Sequence, residues 1–512
     1  MSGKIFAVVF LLVFLTILTC LPLFAQEIPS DQGDDKDGNQ IVYFIREIDF
    51  NITGRTLPFA LLHTLDIKTG ERLRSLDTYI RRKTQILRNQ RVLEEDQSRI
   101  EYFIGEAGAD GLVPVDLMIY VTDTWNIIAL PEPKYDSNTG LSLTVKARDY
   151  NFLGTMSPLA VDLGYSLEEN KNSFFMDLDS EIPFKFLGYN WIFDFDNSIN
   201  FTQKAPFFYQ NTTGISMELP WRRTAFTFGF EQAYMLNEEN DDKEKRETGV
   251  DYFADTWYMS SELYTQWDIP TGLELGEFGE LAYFAKLAAQ IKYRPGGDIG
   301  EYRRGPTNTF SHGLDIGQIN WQGNYRSGIE LSLKNTNQFN YSSLGWDNSL
   351  IFSAVGHFPI SPRFGISSRF LYRQYFNSPY MDAGDVLRGM RNNALYANYM
   401  LSLNIDLPFR LFFFIPSAAF NNRKLRALDF EVHFSPFFDI AVLDGPDPYM
   451  KDDYTIDQVI TTAGFEFIVY PLSWRSLYFR GSIGWNMREW LKIQHPPGGD
   501  YQEIYIGIGH FF

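Results

Sequence analysis

From about residue 126 to the C-terminus, apolar and polar residues alternate with a period of two, in strand-length segments of roughly 10–14 residues. In FFMDLDS, Phe174, Met176 and Leu178 alternate with Phe175, Asp177 and Asp179. In WIFDFDN, Trp191, Phe193 and Phe195 alternate with Ile192, Asp194 and Asp196. GIELSLKNT sets Ile329, Leu331 and Leu333 against Glu330, Ser332 and Lys334, and MLSLNIDLP sets Leu401, Leu403, Ile405 and Leu407 against Ser402, Asn404 and Asp406. Successive side chains of a strand point to opposite faces, so each segment has one apolar and one polar face. A soluble antiparallel sandwich shows the same pattern, so alternation by itself leaves the surrounding solvent open.

Three further features favour a closed barrel in a membrane. The segments exceed the usual strand length of about five or six residues. Connections alternate between tight (NFLGT, PWRRT, NWQGN, PISPR, PLSW) and long, polar, Gly/Pro-rich (NEENDDKEKRETG, RPGGDIGEYRRGPTN, DGPDPYMKDD, HPPGGD). Aromatics cluster at segment ends, as in PFFYQ, LGYNW and PYM, where interfacial girdles lie. The chain ends EIYIGIGHFF, with Ile504, Ile506, Ile508, His510 and Phe512 on one face and Glu503, Tyr505, Gly507, Gly509 and Phe511 on the other. A bare terminal strand of this kind is an aggregation liability in a soluble sheet. In a barrel it pairs with the first strand, and no edge remains. With tight turns toward the periplasm and long loops outside, counting hairpins back from Phe512 keeps a consistent parity. Up to about eighteen strands can be marked, of which 126–137 and 307–320 carry the weakest pattern.

Composition agrees. Aromatics are 16% and hydrophobic residues 45% of 512 residues, and the formal net charge is −19. So acidic a chain is no nucleic-acid binder, since those carry basic patches; a barrel can carry acids in its lumen and loops. Residues 1–25 read as a secretory signal: Lys4 in the n-region, an apolar run from Ile5 to Cys20, and LPLFA before Gln26. An acidic linker follows over 26–40. Cys20 is the sole cysteine. ILTC has the outline of a lipidation box, but Thr19 and the apolar LPLFA speak for ordinary cleavage. The mature chain then has no disulfide, thiol nucleophile or thiolate metal site. No later segment offers the ~20 consecutive apolar residues of a membrane helix.

Residues 41–125 differ from the rest. IVYFIREIDF alternates like a strand, TLPFALLHTL and LDTYIRRKTQILRNQ have helical spacing, and SRIEYFIGE and VPVDLMIYVTDT read as strands around GADG. The order β-α-α-β-β describes a small α+β module with one core. The fold class is therefore mainly β: a small α+β domain followed by a closed antiparallel transmembrane barrel.

A signal peptide, such a module and a barrel ending in Phe together resemble the BamA/TamA family of outer-membrane assembly and translocation proteins. The module resembles a POTRA domain, with FNITGRT and LDIKTGERL matching its glycine-bearing turn and inter-element loop. ARDYNFLGT resembles the family's early barrel turn, with Asp149, Asn151, Phe152, Leu153 and Gly154 in place. VLRGM resembles its arginine-glycine-aromatic signature, which tucks from an outer loop into the lumen; Arg388 and Gly389 match, and Met390 stands where Phe or Tyr is usual. SPFFDIAVLDG resembles the strand bearing the acidic partner, with Asp439 in that place. The resemblance implies sixteen strands, residence in the outer membrane with residues 26–125 in the periplasm, unfolded β-barrel clients, and periplasmic or lipoprotein partners recruited by a single module. It also implies a lateral seam joining a first strand near 126–137 to the last at 503–512, with Gly507 and Gly509 weakening that side.

Side-chain parity gives the lumenal residues a physical reading. In FEVHFSPFFDIAV, Phe430, Val432, Phe434, Phe438 and Ile440 share the outward face, so Asp439 points inward. In GFEFIVY, Phe465, Phe467 and Val469 point out and Glu466 in. Arg388 can present a planar fork of donors to such acids, and Gly389 lets the loop backbone come close. Arg388 is expected to pin its loop inside the barrel through Asp439, with Glu466 second. The alternative is a solvated loop charge above a wet acidic lumen. The six histidines lack metal spacing, RGSIGW and GISSR make no nucleophile elbow, and NEENDDKEKRETG reads as a solvated loop. No catalytic constellation and no cofactor are expected. Two rival functions remain: a cation-preferring passive channel, and a surface adhesin. The N-terminal module argues against both, since simple porins need none.

Overall fold

The computed structural model describes residues 42–508 apart from 74, 109–110, 137–139, 168–171, 204–206, 222–223, 238–256, 275–278, 298, 300–304, 378–380, 383–385, 391–395, 445–457, 474–477 and 488–501. The signal, the linker, Gly509 and Phe512 lie outside the described residues. The chain divides into two compact units. One comprises Met1–Ile48, Lys68–Tyr79 and Tyr102–Leu117; the other comprises Asp49–Ile67, Ile80–Glu101 and Met118–Phe512.

In the N-terminal region β1 (Val42–Thr53), β2 (Arg72–Leu73), β3 (Arg99–Ile104) and β4 (Leu112–Thr122) form a sheet in the order β2-β1-β4-β3. Helices α1 (Pro58–Leu65) and α2 (Leu76–Asn89) complete it, so the expected order gains one two-residue strand. In the smaller unit, β2 is held by Tyr43 opposite Leu73 and Phe44 opposite Arg72, and Arg46 Nε donates to Asp116 at 2.8 Å. In the larger unit, Pro58 opens α1, where its missing N–H costs nothing. Asp66 ends the helix in the left-handed conformation, and the buried Lys83 ammonium donates to the Leu65 and Asp66 carbonyls. A cation there meets the negative end of the helix.

The barrel begins with β5 (Ile127–Asp136), β6 (Gly140–Asp149), β7 (Leu159–Leu167), β8 (Asn172–Phe186) and β9 (Tyr189–Thr202). It continues through β10 (Phe208–Trp221), β11 (Thr224–Leu236), β12 (Trp257–Glu274), β13 (Glu280–Tyr293), β14 (Thr307–Gln322), β15 (Tyr325–Asn340), β16 (Gly345–Ser361) and β17 (Phe364–Tyr375). A long loop follows, carrying the short pair β18 (Met381–Asp382) and β19 (Tyr396–Ala397). The ring is completed by β20 (Tyr399–Asp406), β21 (Phe409–Phe414), β22 (Phe430–Asp444), β23 (Gln458–Pro471), β24 (Phe479–Asn486) and β25 (Gln502–Ile508). Neighbours are antiparallel, and β25 returns to β5. Both β20 and β21 lie between β17 and β22, so they occupy one position end to end.

Among the described residues the ring thus has eighteen positions rather than the sixteen implied by the family resemblance. Both weakly patterned segments take part. In β14, apolar residues are replaced by glycines at Gly313 and Gly317, where a Cβ would stand 2.2 Å from the Leu333 carbonyl oxygen and 2.0 Å from that of Ile329. Close backbone approach there takes the place of the missing apolar alternation.

The outward face is apolar and bare of protein contact: Leu141, Leu143 and Val145 on β6, Leu163, Tyr165 and Leu167 on β7, and Leu287 and Ile291 on β13 are all exposed. A band of this size on a closed ring matches lipid and not water. Aromatic pairs flank it. Phe184–Trp191, Trp221–Phe226 and Phe226–Trp267 lie toward the tight turns, and Phe201–Phe207, Tyr234–Trp257 and Phe339–Tyr341 toward the long loops. Among the described residues no helix is long and apolar enough to cross a membrane. The turn end departs from expectation at one place. Between β21 and β22 the chain makes a folded excursion over residues 415–429, with a one-turn helix α3 (Pro416–Ala419) and a 3-10 turn at Arg423–Leu428.

Candidate functional site

The long loop between β17 and β20 dips into the lumen. Val386, Leu387 and Met390 pack against Leu371, Met400, Ala441, Leu443 and Ile460 in one buried cluster. Met390 is buried in this cluster, and its Sδ accepts from Asn486 Nδ2 at 3.1 Å. Burial of these apolar side chains fixes the loop's depth, and the polar contacts fix its register. Arg388 sits among them, 3% exposed.

Asp439 receives three donors from Arg388: the backbone N–H at 3.0 Å, Nε at 3.0 Å and Nη2 at 2.7 Å. Nη1 donates to Glu466 Oε1 at 3.2 Å and also contacts Asp406. The guanidinium carbon lies over the Phe437 ring, 3.8 Å from its centroid. Burial alone would lower the Arg388 pKa; Asp406, Asp439 and Glu466 outweigh it and hold the pKa above its ordinary value. The site is a fixed cation held by three carboxylates, with Arg480 Nη1 3.6 Å from Glu466 as a second cation.

Gly389 turns left-handed at φ +86°, and a Cβ there would stand 2.6 Å from the Trp485 backbone nitrogen. The loop tip thus lies directly on the wall at β24. Gly389 N–H also donates to Glu503 Oε2 at 2.8 Å, tying the tip to the last strand. Asn404 Nδ2 donates to the Val386 carbonyl at 2.9 Å, and Arg369 Nε to Asn404 Oδ1 at 3.1 Å. The structure brings Arg388, Gly389, Asp439 and Glu466 into one cluster. Sequence reasoning missed Asp406, Asn404 and Glu503 as members. Their inward parity was visible, but not their proximity to the loop.

The early-turn residues gather elsewhere. Arg55 donates to both Asp149 oxygens, Nη1 at 3.1 Å and Nη2 at 2.8 Å. Asn151 is fully buried, and its Nδ2 donates to Thr56 Oγ1 at 2.8 Å and to Asp123 Oδ2 at 3.1 Å. Asp123 also accepts from Arg55 N–H at 2.7 Å, Thr56 N–H at 3.2 Å and Thr56 Oγ1 at 2.6 Å. Phe152 N–H donates to the Ser157 carbonyl, and Leu57 N–H to the Gly154 carbonyl, at 3.0 and 2.9 Å. Leu153 and Gly154 are both left-handed, and a Cβ on Gly154 would meet the Arg55 carbonyl oxygen at 2.2 Å. The first turn of the barrel is therefore bolted to residues 54–57 through Asp123. Asp123→Ala removes an acceptor shared by four donors, and is expected to cost about 2–3 kcal/mol, the value of charge-assisted bonds. Faster limited proteolysis between residues 49 and 123, with the barrel resistant, is the expected readout; an unchanged digestion pattern would show that the bolt is redundant.

At the seam, Tyr505 stands opposite Asp136 and Ile506 opposite Tyr135, and among the described residues no further register pair joins β25 to β5. Ile504 pairs with Ile483 on β24, and Ile508 with Phe479. Gly507 packs close to the Tyr505 hydroxyl and to Glu132.

No protein-family model and no curated protein matches the sequence. Among solved structures the chain is similar to CdiB from Escherichia coli: 12% identity, 91% of this chain and 76% of that chain covered, TM-score 0.51. It is also similar to CdiB from Acinetobacter baumannii (13%, 91% and 74%, 0.48) and to BamA from Haemophilus ducreyi lacking POTRA domains 1–3 (13%, 91% and 84%, 0.41). At these identities the likeness to E. coli CdiB is one of fold: a closed barrel of the kind that the BamA/TamA resemblance implies.

Proposed function

We propose that the protein works in the outer membrane as an assembly or translocation factor, with its N-terminal module in the periplasm and its β25–β5 seam as the working edge. The observation that carries this reading is the tie between the lumenal loop and the strand that closes the ring. The ring closes where β25 returns to β5, and the pinned loop is tied to β25 itself, since Gly389 N–H donates to Glu503 Oε2.

The sequence of β5 supports it. Pro131 and Pro133 lie two residues apart, so the edge they leave without N–H donors is the same one. β5 pairs with β6 without interruption from Ile127 to Asp136, which leaves the β25 side as that edge. Continuing the seam register would set Ile508 opposite Pro133, which has no N–H to donate. Proline at an edge blocks ladder growth. An incoming client strand would compete with a β5 edge that lacks the donors of Pro131 and Pro133, and could add to the β25 side by β-augmentation.

The test restores the donors. Pro131→Val with Pro133→Val adds two ladder bonds, each worth about 0.5–1.5 kcal/mol, so client-barrel assembly by the reconstituted protein should slow about tenfold or more. A rate equal to that of the parent would remove the seam from the mechanism. A second reading has its own observation: Asp162, Asp177, Asp179, Asp194 and Asp196 crowd one stretch of wall on β7–β9. It makes the protein a cation-preferring channel, and the Arg388 variants discussed below separate the two.

A further inference from the structure

The excursion at residues 415–429 has features that no tight turn needs. Its exposed charges are all positive. Arg423, Lys424 and Arg426 are exposed, and among the described residues none of their side chains has an ion-pair partner. The single acid, Asp429, is buried and spent within the fold, where it accepts from Ser417 N–H at 3.0 Å and from the Ser417 hydroxyl. The segment is folded and anchored: Ser473 Oγ donates to the Arg426 carbonyl at 2.7 Å, Leu472 N–H to the Asp429 carbonyl at 2.9 Å, and Asn422 caps the 3-10 turn through Lys424 N–H. On it stand two large apolar side chains with no protein cover, Phe420 at 74% and Leu428 at 55% exposure.

Its position accounts for the combination. It follows β21, where Phe412 and Phe414 pair with Val432 and Phe430 on the outward face and are themselves exposed. Exposed apolar residues thus continue along the chain from Phe412 and Phe414 through Ile415 to Phe420 and Leu428, and the three cations stand between the last two. The neighbouring turn adds exposed Arg363, whose carbonyl accepts from Arg410 N–H at 2.9 Å. In a chain of formal net charge −19, the excursion and this turn together present four exposed cations.

We propose that residues 415–429 form an interfacial foot that binds anionic phospholipid headgroups, with Phe420 and Leu428 inserted at the acyl boundary and Arg423, Lys424 and Arg426 on the phosphates. The occupant follows from charge and continuity: apolar side chains beside basic ones, at the rim of a lipid-facing band, suit an anionic bilayer surface. The proposal rests on the barrel spanning a bilayer, not on the assembly function.

The test uses the full mature chain folded into phosphatidylcholine vesicles, with a fluorophore on Ala427→Cys and, in a second sample, on Leu163→Cys at mid-strand. Brominated phosphatidylglycerol or brominated phosphatidylcholine is added as quencher. Each basic residue at an anionic surface favours binding about fivefold. Quenching at position 427 should therefore favour phosphatidylglycerol by at least about fivefold at low salt, and the preference should shrink as salt screens it. Arg423→Gln/Lys424→Gln/Arg426→Gln should abolish the preference, and Arg423→Lys/Arg426→Lys should keep it. Equal quenching by the two lipids in the parent, or an undiminished preference in the triple variant, overturns the proposal and leaves an acidic protein as the partner to test. Position 163 should be quenched equally by both lipids. No quenching there would mean that the barrel is not in the bilayer, and the foot falls with that reading.

Discussion

Arg388→Ala should turn a low, flickering conductance in planar bilayers into a large and steady one. The side chain is the sole cation bonded to Asp439 in the cluster, and it shares Glu466 with Arg480. Removing it takes from the buried Asp406, Asp439 and Glu466 the one cation that contacts all three. Breaking a buried pair by deleting one partner costs about 3–5 kcal/mol, because the charge left behind is uncompensated. The apolar grip of Val386, Leu387 and Met390 cannot hold the loop tip against that repulsion, so the loop should leave the lumen. Arg388→Lys should rescue little. Asp439 takes donors from both Nε and Nη2, and an ammonium cannot reproduce that fork. Gly389→Ala should release the loop by another route, since its Cβ would collide with the β24 backbone. Single-channel recording decides the matter. A large, cation-selective wild-type conductance, unchanged in Arg388→Ala and Asp439→Asn, would favour the channel reading and sink the pin.

Parity explains how much of this site the sequence disclosed. A barrel wall meets lipid on one side and a polar lumen on the other, so each strand writes its orientation into a two-residue alternation. Asp439 and Glu466 could be turned inward from that pattern alone. Asp406 has the same parity within MLSLNIDLP, yet its closeness to Arg388 depends on the pairing of β20 with β22, in which Asn404 faces Asp439. Register between strands is not written in either strand's own alternation. The strand number was hidden for a related reason: β14 replaces apolar side chains with glycines that admit backbone, which erases its alternation. In FRLFFFIPSAAFNNRKLRALDF the run of aromatics reads as strand. Only Pro416, which opens a helical turn, marks where the ladder gives way to the excursion at 415–429. The bolt at Asp123 joins residues distant along the chain, and nothing local in VTDTW announces that its aspartate caps the turn at Arg55 and Thr56.

The strongest demand that the assembly reading makes is on the seam itself. Tyr135→Cys with Ile506→Cys should form a disulfide that abolishes client assembly, by about a hundredfold or more, while leaving the barrel folded. The two residues stand directly opposite and both face outward, at 41% and 52% exposure. Directly opposed residues of an antiparallel pair have Cα atoms about 4.5–5.5 Å apart, within the range a disulfide accepts. Cys20 is the only native cysteine, so the mature chain from residue 26 gives a background with no other thiol. The bond would close a covalent ring between first and last strands and should raise the unfolding temperature, because it removes entropy from the unfolded chain. A gain in stability with a loss of assembly, reversed together by reductant, is a combination that misfolding cannot mimic. The control is Leu333→Cys with Phe352→Cys, opposed across the fully laddered β15–β16 pair, where a disulfide should leave assembly untouched. A locked seam that still assembles clients at the parent rate would move the substrate path from the joint to the lumen, and the Arg388 loop, not the β25 edge, would then be the gate.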